Sequence, residues 1–218
     1  MVLAGALLVA HVAVEVWGTG VATARAQSRF RAALAQRGYP ERPAQGEPIG
    51  LLRIRRLALD VAFVEGVESD ALALGPGHYP GTPLPGESGN VSIAGHRTTH
   101  AAPFWALDSL VPGDHVGLST AAGDFLYRVE WVRVVVPDDL WVLESTSQPS
   151  LTLTTCEPRF SSARRLVVRA VQIYGPTDAG FVDERSAGFG LGGEVFGGPV
   201  VSSASPPKEA EGLAPASE

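Results

Sequence analysis

Between residues 49 and 174 the chain is a succession of short apolar runs broken by Gly, Pro and Asp. The runs predict strands at 50–57, 59–64, 89–94, 115–120, 124–136, 150–155 and 165–174. Alternation is clearest where Phe125, Tyr127, Val129 and Trp131 share one parity and Arg128 and Glu130 the other, the period-two signature of a half-buried strand. Only 103–110 reads as a short helix, with Pro103 suited to its first turn. Seven or eight strands in about 125 residues point to an all-β fold, a small closed or nearly closed barrel. That length buries one adequate core.

The flanks differ. Residues 2–21 are almost wholly apolar, interrupted by His11 and Glu15 and followed by Arg25, Arg29 and Arg31. About 20 such residues cross a bilayer as a helix, and Trp17 suits its interfacial belt. Residues 1–23 are therefore expected to form a transmembrane anchor. Glu15 is costly inside a span, and the basic cluster follows the span rather than preceding it. A start codon assigned too late would remove a basic leader. A signal peptide fits poorly, since no basic region opens the segment and Ala24-Arg25-Ala26 is a weak cleavage site. The other reading is an amphipathic helix buried against the soluble domain. Residues 24–38 have helix-forming composition and stop at Gly38, and 39–48 hold three prolines, so 24–48 reads as a helical, Pro-rich linker. The folded domain is expected at 49–175. Residues 176–218, with eight Gly, five Pro and little periodicity, bury too little apolar surface to offset ordering entropy and read as a disordered acidic tail.

Composition narrows the classes. Of 218 residues 45% are hydrophobic and 18% charged, which excludes a wholly disordered chain or a coiled coil. The net charge is −6, and the two basic and seven acidic side chains of 176–218 account for −5 of it. The remainder is nearly neutral, which argues against a nucleic-acid binder, whose affinity comes from clustered positive charge. One cysteine, Cys156, excludes an intramolecular disulfide and a multi-cysteine zinc site. A lone cysteine is commonly just a small buried hydrophobe, so its surroundings must decide its role.

Those surroundings are chemical. Leu151-Thr152-Leu153-Thr154-Thr155-Cys156 delivers a thiol at a strand end, beside the hydroxyl and backbone N–H of Thr155. Ser92-Ile93-Ala94-Gly95-His96-Arg97 does the same for an imidazole, and Arg164-Arg165 opens the strand Leu166-Val167-Val168. A thiolate attacks carbonyls, an imidazolium stabilises it and later protonates a leaving amine, and a guanidinium donates to the tetrahedral oxyanion. Adjacent strand residues point to opposite faces, so only one of Arg164 and Arg165 can enter the site.

Thr152-Leu153-Thr154-Thr155-Cys156, followed nine residues later by Arg165, resembles the Thr-Leu-x-Thr-Cys signature of the sortases, membrane-anchored cysteine transpeptidases of Gram-positive bacteria. Gly95-His96-Arg97, 60 residues before the cysteine, is similar to their histidine segment. The resemblance runs over 51–174 and includes Tyr79-Pro80-Gly81-Thr82 and Gly86-Glu87-Ser88-Gly89-Asn90. Ala94-Gly95-His96-Arg97-Thr98-Thr99 with Leu153-Thr154-Thr155-Cys156-Glu157-Pro158 most resembles the class E enzymes of actinobacteria.

The resemblance implies a closed eight-stranded sortase barrel, outside the cytoplasmic membrane on a single-pass anchor. It implies catalysis by Cys156, His96 and Arg165, with Thr155 helping to form the oxyanion site and Thr154, Thr98 and His100 contacting substrate. Registering Arg165-Leu166-Val167-Val168 on the family's Arg-hydrophobic-hydrophobic-Val pattern selects Arg165 over Arg164. The implied partners are surface proteins bearing a C-terminal Leu-Ala-x-Thr-Gly or Leu-Pro-x-Thr-Gly sorting signal and an amino group of a peptidoglycan precursor, with no nucleic acid and a monomeric chain. No cofactor is expected. Asp138-Asp139 alone supplies too few oxygens for calcium, so no metal is expected either. His78 and His100 read first as solvated loop histidines.

Competing accounts are fewer. An L,D-transpeptidase would carry a Ser-x-Gly-Cys-x-Arg type cluster, whereas Thr154-Thr155-Cys156 lacks the glycine. A papain-like hydrolase would place its cysteine before its histidine. A non-catalytic, membrane-tethered β domain that scaffolds surface proteins fits the composition, and the three strand-end residues oppose it.

Overall fold

The computed structural model describes Gly5 and residues 19–176. A helix, α1 (Thr19–Arg37), precedes the strands and stops at Gly38, whose left-handed φ of 76° lets its N–H close on Leu34 O at 3.0 Å. The strands are β1 (Pro48–Ile54), β2 (Leu59–Glu65), β3 (Gly77–His78), β4 (Asn90–Ala94), β5 (His115–Thr120), β6 (Gly123–Val135), β7 (Ser150–Glu157) and β8 (Arg164–Tyr174). A one-turn helix, α2 (Ser69–Leu72), lies between β2 and β3, and 3₁₀ turns occupy Arg55–Leu57, Leu107–Ser109 and Leu140–Leu143.

The strands close into an eight-stranded barrel, as expected, in the order β1-β2-β3-β4-β7-β8-β6-β5. Neighbours are antiparallel except β2 with β3 and β4 with β7. Alternation holds as the sequence implies as far as Val129: Phe125, Tyr127 and Val129 of β6 face the core, with Leu151 and Leu153 of β7 and Leu166, Val168 and Ala170 of β8. A register shift between Val129 and Trp131 then brings Val132 onto the core, and Trp131, expected on the same face, packs against Trp141 instead. The 150–155 and 165–174 expectations extend to Glu157 and Arg164. The expected helix at 103–110 is a series of turns that becomes 3₁₀ only at Leu107–Ser109.

The stretch at 24–48, expected to be a linker, contains most of a helix that is bonded to the barrel. Thr23 Oγ1 donates to Ala73 O at 2.7 Å, while Gln27 Nε2 donates to Ala62 O and Leu74 O, both at 2.9 Å, and Gln27 Oε1 accepts from Ala62 N at 2.7 Å. Only Thr23 and Leu34 of α1 are buried, so polar contacts carry the docking. The expected anchor lies outside the described residues except Gly5 and 19–23, and the expected tail lies outside them beyond Pro176. Among the described residues no helix is long and apolar enough to cross a membrane.

Candidate active site

Strand register brings the three candidates to one end of the barrel. In the parallel pair β4–β7, Ala94 stands opposite Thr154, so the chain two residues on presents His96 beside Cys156. In the antiparallel pair β7–β8, Cys156 stands opposite Arg165. Since Leu153 and Leu166 point inward, the parity of each strand sends Cys156 and Arg165 to the outer face. All three line one pocket of about 230 Å³, with Tyr79, Thr154 and Thr155, and with Val67 and Leu72 among its apolar walls. Arg164 is exposed and pairs in register with Glu157 instead.

Gly95 is required where it stands. A Cβ there would lie 2.5 Å from the fully buried Phe104 ring, so any larger residue would displace the turn that carries His96. Thr155 Oγ1 donates to Gly95 O at 2.7 Å and Gly95 N to Thr154 O at 3.0 Å, which ties the cysteine strand to the histidine turn. Thr155 was expected to help form the oxyanion site through its hydroxyl and backbone N–H, and of these the hydroxyl proton is already committed to Gly95. Thr154 Oγ1 lies 3.0 Å from Tyr79 OH, a bridge from β7 across the pocket to the residue after β3.

Cys156 is half-buried, and it is the free thiol of the site. Its thiol and the His96 imidazole share the pocket without a hydrogen bond between them among the described contacts. Burial, and secondarily the His100 ring, holds His96 below the ordinary histidine range, because both disfavour the imidazolium. The two imidazoles stack with centroids 4.6 Å apart and planes 22° from parallel. Arg165 donates from one guanidinium nitrogen to Ser162 O at 2.9 Å and Arg164 O at 3.1 Å, which turns its side chain along the loop before β8.

Two of the four expected substrate contacts fall elsewhere. Thr98 is not among the residues of the Cys156 pocket, and neither is His100, which lines a neighbouring pocket of about 270 Å³ between α1 and the loop after β4. His100, Ala101 and Ala102 all have left-handed φ, 52°, 63° and 44°, and the His100 ring stacks on His96 rather than lining the thiol pocket itself. Nor is His78 a solvated loop residue: it is 2% exposed, with Nδ1 2.8 Å from Glu65 Oε2 and Nε2 3.0 Å from Pro83 O, so it anchors the segment that carries Tyr79. Sequence reasoning also missed Arg97, which is buried beside the thiol strand with Nη1 3.2 Å from Cys156 O. Only its adjacency to His96 could have marked it.

The family model for the sortase domain matches residues 52–173. The chain belongs to the sortase family. It is 32% identical to sortase SrtE1 of Streptomyces coelicolor over 186 residues, 75% of this chain and 53% of that protein. A sortase D5 transpeptidase of Clostridium perfringens superposes with a TM-score of 0.61 at 29% identity, covering 70% of this chain and 98% of that one. Sortase E1 of Streptomyces coelicolor, solved with a tripeptide in its active site, gives 0.57 at 31% identity, covering 65% and 98%. The chain spans 53% of the length of SrtE1 and 58% of that of sortase D of Bacillus subtilis. The barrel is thus the sortase barrel, and the pocket at its end holds a cysteine, a histidine and an arginine of this sortase-family chain.

Proposed function

We propose that this chain is a sortase-type cysteine transpeptidase, of the class E kind, that cleaves a Leu-Ala-x-Thr-Gly or Leu-Pro-x-Thr-Gly-like sorting signal between Thr and Gly. The acyl part is then joined to an amino group of a peptidoglycan precursor. The observation that carries the reading is the convergence of Cys156, His96 and Arg165 on one pocket from three separate strand ends.

The chemistry follows from the protonation states. With His96 held below the ordinary histidine range, its neutral imidazole takes the Cys156 proton as sulfur attacks the Thr–Gly carbonyl. A C–S bond forms, the carbonyl oxygen takes the negative charge, and the Arg165 guanidinium donates to it. Collapse breaks the C–N bond, and the imidazolium returns its proton to the departing glycine amine. The acceptor amine then adds to the thioester, His96 removes the amine's proton, and the thiolate leaves. Thr155 serves by holding the two strand ends together, and Thr154 with Tyr79 forms the polar wall beside the thiol. The apolar segment before α1 would tether the chain to the cytoplasmic membrane, with the barrel on the outer side facing sorting-signal proteins and wall precursors.

Incubation of the whole chain with a Leu-Ala-x-Thr-Gly peptide and an amine is the test. Cleavage between Thr and Gly with transfer to the amine, both lost in Cys156→Ala, is expected. Peptide left intact by the wild-type chain would overturn the proposal.

A further inference from the structure

Behind Cys156 lies a charged cluster. Arg97 is 3% exposed, and its guanidinium reaches three groups on two elements: Nη1 donates to Cys156 O at 3.2 Å and to the Glu157 carboxylate, both on β7, while Nη2 pairs with Asp108 Oδ2 at 2.9 Å in the Leu107–Ser109 turn. Its Nε is buried without a partner among the described residues. Asp108 is shared with Arg159, which donates to both carboxylate oxygens at 3.0 and 3.1 Å and stacks 4.7 Å over the Trp105 ring. Two cations and two anions therefore balance beside the end of the cysteine strand. On the open side Cys156 faces His96 and Arg165, with Tyr79 across the pocket and Arg164 opposite Glu157 in register.

A buried fork that bonds the carbonyl of a nucleophile fixes the plane of its peptide and hence the direction of its side chain. A buried cation needs acceptors, and here both terminal nitrogens have them: the cysteine's own carbonyl, its next neighbour's carboxylate and Asp108. We propose that Arg97 is the positioning residue of this site: it holds the Cys156 peptide from behind the strand and offsets the negative charge of Glu157 and Asp108. The inference rests on the reading of Cys156 as the nucleophile, and it accounts for an arginine directly after His96 that has no place on the pocket wall.

The cluster makes opposite predictions for its two signs of charge, which mere loss of packing would not. Iodoacetamide alkylation of Cys156 across pH in the folded whole chain is the probe, and it reads the thiol whether or not any peptide is turned over. Arg97→Gln leaves the Glu157 carboxylate without its cation beside the thiol strand, Asp108 keeping Arg159, and is expected to slow alkylation at neutral pH by about 3- to 10-fold, moving the profile to higher pH. Glu157→Gln leaves an excess cation and is expected to move it the other way. The double variant returns toward wild type. Arg97→Lys restores charge without the fork, so alkylation recovers while kcat for the sorting peptide stays low at unchanged KM.

Profiles that move in the same direction for Arg97→Gln and Glu157→Gln, or that do not move, would overturn the electrostatic role. Full recovery of kcat by the lysine would overturn the positioning role. If Arg97→Gln does not fold by circular dichroism, Glu157→Gln decides alone: a shift to lower pH supports the proposal and any other result overturns it. If the wild-type chain leaves the peptide intact, the functional reading fails while the alkylation series still judges Arg97.

Discussion

Two pockets adjoin the turn after β4, and they differ in kind. The larger, about 270 Å³, lies between α1 and the His100 loop and is walled largely by Leu57, Leu59, Val61, Pro103 and Trp105, with the Gln27 amide already bonded to backbone. The smaller, about 230 Å³, presents a thiol, an imidazole and a guanidinium. Size therefore does not find the chemistry. What distinguishes the smaller pocket is that three strand ends deliver reactive groups to it, the arginine with only one guanidinium nitrogen bonded to the fold, whereas the larger one is bounded by groups that hold α1 in place. His96 and His100, stacked on each other, are the point where the two meet.

The comparison breaks if residues of the larger pocket prove to carry the reaction. The largest effect is expected at the smaller one: Arg165→Ala should lower kcat by about 10²- to 10³-fold, the loss typical of an oxyanion donor, while exposed Arg164→Ala stays near wild type in steady-state kinetics. The reverse pattern would reassign the oxyanion donor. Next comes the shared wall. Gly95→Ala forces a methyl into the Phe104 ring and should cost about 1–3 kcal/mol in denaturant unfolding, with loss of turnover because His96 moves.

On the other side, Gln27→Ala leaves the buried amide and carbonyl of Ala62 short of a partner and should cost about 1–2 kcal/mol of stability without changing kcat. A loss of kcat with stability intact would make α1 part of the catalytic machinery.

How much of this was legible in the sequence follows the physics of each element. The first half of β6 announces itself by period-two alternation, whereas β7 and β8, buried on both faces along most of their length, were legible as β-type runs bounded by Gly, Pro and polar residues. β3 was invisible: two residues, Gly77 and His78, cannot alternate, and their pairing with β2 and β4 comes from distant chain. Cys156, His96 and Arg165 were legible since each closes or opens an apolar run. Their convergence depended on β4–β7 being parallel, which local pattern does not encode. Arg97 was missed and His78 misjudged because a charged or polar side chain reads as solvated until its partners, Glu157 and Asp108 for one and Glu65 for the other, are brought from elsewhere. The docking of α1 was hidden for the same reason, since one glutamine bonded to backbone leaves no apolar stripe.

The smallest expected effect is at the contact between the pockets. His96 binds its proton at lower pH in the folded chain than in the unfolded one, so below the ordinary histidine range the unfolded state holds more protons and stability falls as pH drops. His100→Ala removes the lesser of the two causes. The acid limb of the kcat/KM profile should move up, yet remain below the ordinary histidine range because burial persists, and the loss of stability at low pH should be smaller. An unchanged limb would mean that the stacked ring does not act on His96.

The central claim is that Cys156 carries the acyl group during turnover. Mass spectrometry of the whole chain quenched during reaction with a Leu-Ala-x-Thr-Gly peptide tests it most directly. The account predicts an adduct equal to the peptide portion ending at Thr, located on Cys156, removed by hydroxylamine and absent in Cys156→Ala. An adduct on another residue, or cleavage of the peptide with no covalent intermediate even when the acceptor amine is withheld, would contradict it.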